Sequence, residues 1–206
     1  MRTFPDVRMR ELLELAGSIA EATRAGNQEG ALERARELRS RASRVGLESA
    51  WVQWSIAVCL DNLGQPEDAL HELKKAIAMD PIDSQYQRSF DIIVTRLRAE
   101  LAALAPDDDS VPRLYQLLAE SGSNDVQTHL VMARHHMKSG RVARARELLE
   151  ALSMLAPISR EVWVERARLE RLEGNEAAAV KCDAEAASVT SKDVLFGIPR
   201  PPDTGR

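Results

Sequence analysis

Residues 131–157 read VMARHHMKSGRVARARELLEALSMLAP, and residues 166–191 read RARLERLEGNEAAAVKCDAEAASVTS. The second stretch is an offset copy of the first. Gly140 and Gly174, Ala145 and Ala179, and Ala133 and Ala167 are each 34 residues apart. In both copies an apolar pattern with three- and four-residue spacing runs into a glycine, and a second such pattern leaves it. That spacing gathers the apolar residues on one side of a helix. A glycine after a helix supplies the left-handed residue on which the chain reverses. The pattern therefore predicts two helices joined by a Gly turn, used at least twice.

Working outward, residues 49–81 (SAWVQWSIAVCLDNLGQPEDALHELKKAIAMDP) carry the same plan. Gly64 marks the turn, Ala69 and Ala76 are small, Leu73 is large and apolar, and Pro81 closes the unit. Small residues let two helices approach closely while a large one fills the space beside them. This unit resembles the tetratricopeptide repeat (TPR) family, which places Gly, Ala, a large apolar residue, Ala and Pro at these points. Gln53 stands where the family has an early Trp, with Trp51 and Trp54 on either side, and Ile56-Ala57 replaces its Leu-Gly pair. In the last copy Trp163 sits at the Trp position and Arg166-Ala167 replaces Leu-Gly. The resemblance is specific over residues 50–83 and 126–193, and rests on spacing and the apolar stripe over 6–45 and 84–125. It implies an all-α fold, a right-handed α-solenoid of about five antiparallel helical hairpins.

The expected hairpins span about 6–45, 48–81, 84–122, 126–157 and 160–190, within one solenoid over 1–191. Gly64 and Gly140 are 76 residues apart, two repeats plus eight residues, so the third hairpin is expected to have a lengthened first helix. That helix runs from Phe90 to about Leu104, and Ser110 is the expected cap of the next. The stretch 192–206, with Pro199, Pro201 and Pro202, is expected to be a flexible tail, or else to pack on the last helix or a neighbour.

Composition narrows the function. Ala, Leu, Glu and Arg dominate, and aromatics are only 4%, as in a helix-rich chain with almost no sheet. The formal net charge is −4, which counts against a generic nucleic-acid binder. Cys59 and Cys182 read as two reduced, packed thiols. Arginine outnumbers lysine by 23 to 5, as in a GC-rich bacterial coding sequence. No apolar run approaches the roughly 18 residues of a membrane span, and a cytoplasmic protein is expected. His71, His129, His135 and His136 have no metal-ligand spacing, and His136 is expected to pack between helices in a slot the family fills with Tyr. There is no Gly-rich phosphate loop, nucleophile elbow or kinase motif. The expectation is a non-catalytic protein with no cofactor and no metal.

In TPR arrays the first helix of each pair lines a concave groove that holds peptide segments. By spacing from each turn, the groove positions are Trp51, Trp54, Val58 and Asp61; Gln85, Arg88, Ile92 and Arg96; Gln127, Leu130, Arg134, Met137 and Lys138; and Glu161, Val164, Arg168 and Arg171. Arg88, Arg96, Arg134, Lys138, Arg168 and Arg171 would make a basic channel suited to carboxylates. Trp51 and Trp54 would add apolar anchors. The expected partner is a protein or peptide, acidic with an apolar anchor. The alternative is that these arginines pair with carboxylates such as Glu161 and Glu165, leaving little net field. The Lys/Asn clamp of chaperone-binding TPRs is absent, since Trp54 and Val58 occupy its positions. Arg34, Arg36, Arg39, Arg41 and Arg44 form either a solvated outer face or a docking patch for an acidic partner. RNA binding by a helical-repeat face and self-assembly through array ends remain the alternative functions.

Overall fold

The computed structural model describes residues 7–195, and these form ten α-helices and no strand. The chain divides into two compact units at Leu97/Arg98. In the first, α1 (Val7–Arg24), α2 (Gln28–Arg44), α3 (Ala50–Asn62) and α4 (Pro66–Met79) pack in chain order, followed by the start of α5 (Ser84–Ala103). The second holds the rest of α5, then α6 (Val111–Ser121), α7 (Val126–Lys138), α8 (Val142–Leu155), α9 (Arg160–Leu172) and α10 (Glu176–Leu195). There α7 packs on both α8 and α9, and α9 on α10, so successive hairpins stack on one another.

The turns explain the period. At Gly26, Gly64, Gly140 and Gly174 φ lies between +70° and +79°, a region that costs an L-residue roughly 1–2 kcal/mol. The residue after each glycine donates its N–H five residues back: Asn27 to Ala22 at 3.0 Å, Gln65 to Leu60 at 2.9 Å, Arg141 to His136 at 2.8 Å and Asn175 to Glu170 at 2.8 Å. These bonds satisfy carbonyls that the helix end leaves free. Five residues past each glycine stands an alanine, Ala31, Ala69, Ala145 or Ala179, and all four are 0% exposed. On the first helices of these hairpins Ala57, Ala133 and Ala167 are at most 1% exposed. A larger side chain at such fully buried positions would overpack the contact between helices. The structure thus bears out the all-α, TPR-type reading on the chain's own turns and contacts.

Around the alanines the core is aliphatic. Leu130, Leu149, Leu152, Val162 and Leu169 form it in the second unit. Ile56, Leu60 and Leu73 are buried in the first, and Ala50, Ala76 and Tyr86 pack with Trp54 and Ile77. The polar joints are equally specific. Arg146 on α8 reaches Glu170 on α9 through two bonds, Nη1 to Oε1 at 2.8 Å and Nη2 to Oε2 at 3.3 Å, and also meets Glu173. Asn175 Nδ2 donates to the same Glu170 at 3.2 Å. The Arg146 bonds hold the Glu170 carboxyl well below its ordinary range, although burial pushes the other way.

Helix α5 is lengthened as expected, with 20 residues where α3, α7 and α9 have 13, which adds about two turns. Other details differ from the sequence reading. Ser110 makes no side-chain cap on α6. Asp108 Oδ1 accepts the Ser110 N–H at 2.7 Å in the turn just ahead of the helix. Helix α10 runs to Leu195, past the start expected for the tail, because Lys192 to Leu195 contain no helix breaker. The proline-rich stretch 196–206 lies outside the described residues. The buried histidine is His135, 4% exposed, with Nδ1 2.9 Å from the Pro106 carbonyl and Nε2 2.8 Å from Arg141. His136 is only half-buried, one residue step around the helix.

Candidate functional site

Each unit presents one face at the expected groove positions. In the first, α3 faces the start of α5. Trp54 is half-buried and its Nε1 donates to Ser89 Oγ at 2.9 Å, while Arg96 engages Asp61 through both guanidinium nitrogens. Trp51 is half-buried, and Arg88 and Ile92 are exposed. Asp61 neutralises Arg96, and the indole of Trp54 is fixed by packing on Ala50 and Ala76. This face is thus less basic and less open than the sequence reading expects.

In the second unit the cations converge. Arg134 on α7, Lys138 one turn further along the same helix, and Arg168 on α9 border one pocket of about 120 Å³, completed by Met137, Leu172 and Pro106. The four-residue step from Arg134 to Lys138 puts both on one side of α7. Glu165, 8% exposed at its side chain, sits behind them. Its Oε1 accepts from Arg134 Nε at 2.7 Å, and Arg168 Nη1 lies 3.8 Å from its Oε2. Three cations therefore face one carboxylate. Lys138 has no ionic partner among the described residues, and Arg168 keeps half its side-chain surface. Pairing of arginines with Glu165 occurs as the alternative expects, but a positive excess remains. Beside the pocket, Leu172 is 60% exposed.

A second depression, about 260 Å³, adjoins across Arg134, between the end of α5 and α7. Its floor holds the buried Leu101, Val131 and Thr128, and Arg98, Asp125 and Gln127 line it with polar groups. Asp125 caps α7, its Oδ1 accepting the Thr128 N–H and hydroxyl, both at 2.8 Å. Burial would raise the Asp125 carboxyl, but Thr128 and Arg98 outweigh it and hold it below the ordinary value. Arg98 is itself fixed by the Ser123 carbonyl at 3.0 Å and by Asp125 at 3.4 Å.

Three expected groove residues are placed differently. Leu130 is 0% exposed and sits in the aliphatic core, because its position on α7 turns toward α8, while Met137, 8% exposed, belongs to the same core and also lines the pocket. Arg171 joins Asp183 on α10 and lies 3.5 Å from Glu176, so α10 carboxylates hold it. Sequence spacing misses Leu172, Pro106 and Arg98. No periodic signal marks Leu172, and the other two enter through the lengthened third hairpin.

No protein-family model and no curated protein sequence matches this chain. Among solved structures it is similar to MamA from Desulfovibrio magneticus RS-1, at 11% identity and TM-score 0.39, covering 88% of this chain and 96% of that one. A crystal structure of MamA protein aligns at 13% identity and TM-score 0.42 over 93% of this chain and 98% of that one. PilF of Pseudomonas aeruginosa aligns at 17% and 0.41 over 89% and 78%. Likenesses this distant leave the repeat reading on the chain's own glycine turns and buried alanines. No helix among the described residues is long and apolar enough to cross a membrane.

Proposed function

We propose that this protein is a non-catalytic interaction scaffold whose α7–α9 face holds an acidic segment of a protein partner. The observation that carries the reading is the charge imbalance at one pocket: Arg134, Lys138 and Arg168 against Glu165 alone. Arginine's planar donor fork suits carboxylates, and a cationic rim raises the encounter rate with an acidic chain. Leu172, exposed at the rim, gives that segment an apolar contact in place of the tryptophans. The adjoining depression, with Leu101 and Val131 in its floor, extends the surface along α7.

The test uses two baits in affinity capture: the wild-type chain and K138E/R168E. Both substituted side chains are exposed, and equal helicity of the two baits checks that the fold is kept, whereas Arg134 is left in place because it donates to the buried Glu165. A partner held by the wild type and lost by the variant, with equal helicity of both baits, is the expected result. A partner held equally by both refutes the role of this face. Binding that falls steeply with salt for generic RNA would favour the nucleic-acid reading instead.

A further inference from the structure

Helix α2 carries five arginines between residues 34 and 44, and the structure separates them into two groups. Three are engaged. Arg34 donates to the Ser18 carbonyl at 3.2 Å, Arg39 to Glu72 at 3.1 Å, and Arg41 to Glu37 at 2.5 Å. Arg36 and Arg44 are exposed and make no hydrogen bond or ion pair with the described residues. They stand eight residues apart with Ser40 midway, so the three follow one line along the helix, about 12 Å long at its rise per residue. Together with Arg39, Ser43, Glu48 and Gln53 they border an open depression of about 540 Å³ between α2 and α3. Arg39 is spent on Glu72, and Ser43 Oγ donates to Glu48 at 3.2 Å. The unpaired cations left there for a ligand are two guanidinium forks, with a serine hydroxyl between them. The chain beyond Arg44 then exposes Val45 and Leu47, at 40% and 44%.

We infer that this α2–α3 surface of the first unit is a second, independent docking site for an acidic segment of a partner protein. Charge complementarity and spacing choose the occupant. An extended chain rises about 3.3 Å per residue, so carboxylates four residues apart span about the same length as the line from Arg36 to Arg44. They also emerge on the same side of the strand. An apolar residue beyond the second carboxylate would cover Val45 and Leu47. Glu48, exposed on the same depression, and Glu37, beside Arg36 in sequence, oppose a uniform polyanion but not a segment with spaced acids.

The experiment titrates the full chain, labelled at arginine, with a twelve-residue peptide bearing glutamate at every fourth position. The guanidinium Nε–Hε signals of Arg36 and Arg44 are followed by NMR. Expected are joint shifts of both signals with one dissociation constant, and a loss of affinity of about tenfold or more in R36Q/R44Q. K138E/R168E should leave the shifts of the Arg36 and Arg44 signals and their dissociation constant as in the wild type, which separates this site from the α7–α9 face. The inference is overturned if the two signals stay still, or if an isomer with contiguous glutamates binds equally. It is also overturned if a twelve-nucleotide single-stranded RNA displaces the peptide from both arginines, or if R36Q/R44Q leaves binding unchanged.

Discussion

The joint between the last two hairpins hangs on Arg146 and Glu170, and a double-mutant cycle across it measures whether buried ion pairs hold the repeats in register. Glu170 is 7% exposed at its side chain and Arg146 31%. Two charge-assisted bonds join them, at 2.8 and 3.3 Å. Each such bond contributes about 1.5–3 kcal/mol, and orphaning a buried charge costs about 3–5 kcal/mol when no other partner remains. In R146M, Glu170 keeps Asn175 at 3.2 Å, and water reaches the vacated edge. The cost is therefore expected near the low end, about 2–3 kcal/mol. In E170L the arginine still has Glu173, and Glu150 at 3.7 Å, and can swing into solvent, for a cost of about 1–2 kcal/mol. The double variant leaves neither charge buried, so it should fall short of the sum by about 1 kcal/mol or more. Urea unfolding followed by circular dichroism reads all four corners. As a control, R144A breaks a pair 71% and 68% exposed, Arg144 to Glu147 at 3.4 Å, and should change stability by less than about 0.5 kcal/mol. Additivity of R146M and E170L within about 0.3–0.5 kcal/mol would refute the reasoning, since the two groups would then not be sensing each other.

Further outcomes follow from the same structure. G140A should lower stability by roughly 1–2 kcal/mol, because φ is +70° there while the added methyl meets no neighbour; thermal melting beside G17A, whose site is helical and open, isolates the backbone term. L149A empties a 0% exposed position in the second unit's core and should cost about 2–5 kcal/mol by urea unfolding, whereas L13A, 60% exposed, should cost little. Acid should weaken the second unit in two stages. Burial keeps the pKa values of His129 and His136 below the ordinary histidine value, so their contribution is complete above about pH 6.5 and is lost as pH falls through and below it. Glu170 and Asp125 have lowered values, so their contribution persists above about pH 4 and fades below it. Melting temperature against pH for the wild type and H129Q/H136Q checks the first stage: the loss between pH 7 and 5 should shrink in the variant.

The helix count, the turn positions and the small-residue contacts were legible in the sequence because each is a local matter. A glycine at φ near +70° and an alanine five residues on recur with the repeat, and periodicity alone locates them. The lengthened α5 was legible for the same reason, as a surplus in the spacing between Gly64 and Gly140. The cap on α6 and the end of α10 were not, since both turn on which of several adequate residues wins a local competition.

Charge could be counted from the sequence but not assigned. Arg96, Arg134 and Arg171 all stand on the first helix of their hairpins, yet Asp61, Glu165 and Asp183 claim them to different degrees. Each partner sits on another helix, 35, 31 and 12 residues away respectively. The same holds for Arg36 and Arg44, which differ from Arg34, Arg39 and Arg41 only in having no acceptor within reach among the described residues. By itself the sequence determined that helices pair about glycine turns on a 34-residue plan, because the 3.6-residue period and left-handed glycines are properties of the backbone. Tertiary structure alone decided which cations stay free to meet a partner, because a Coulomb interaction falls with distance through space and takes no account of separation along the chain.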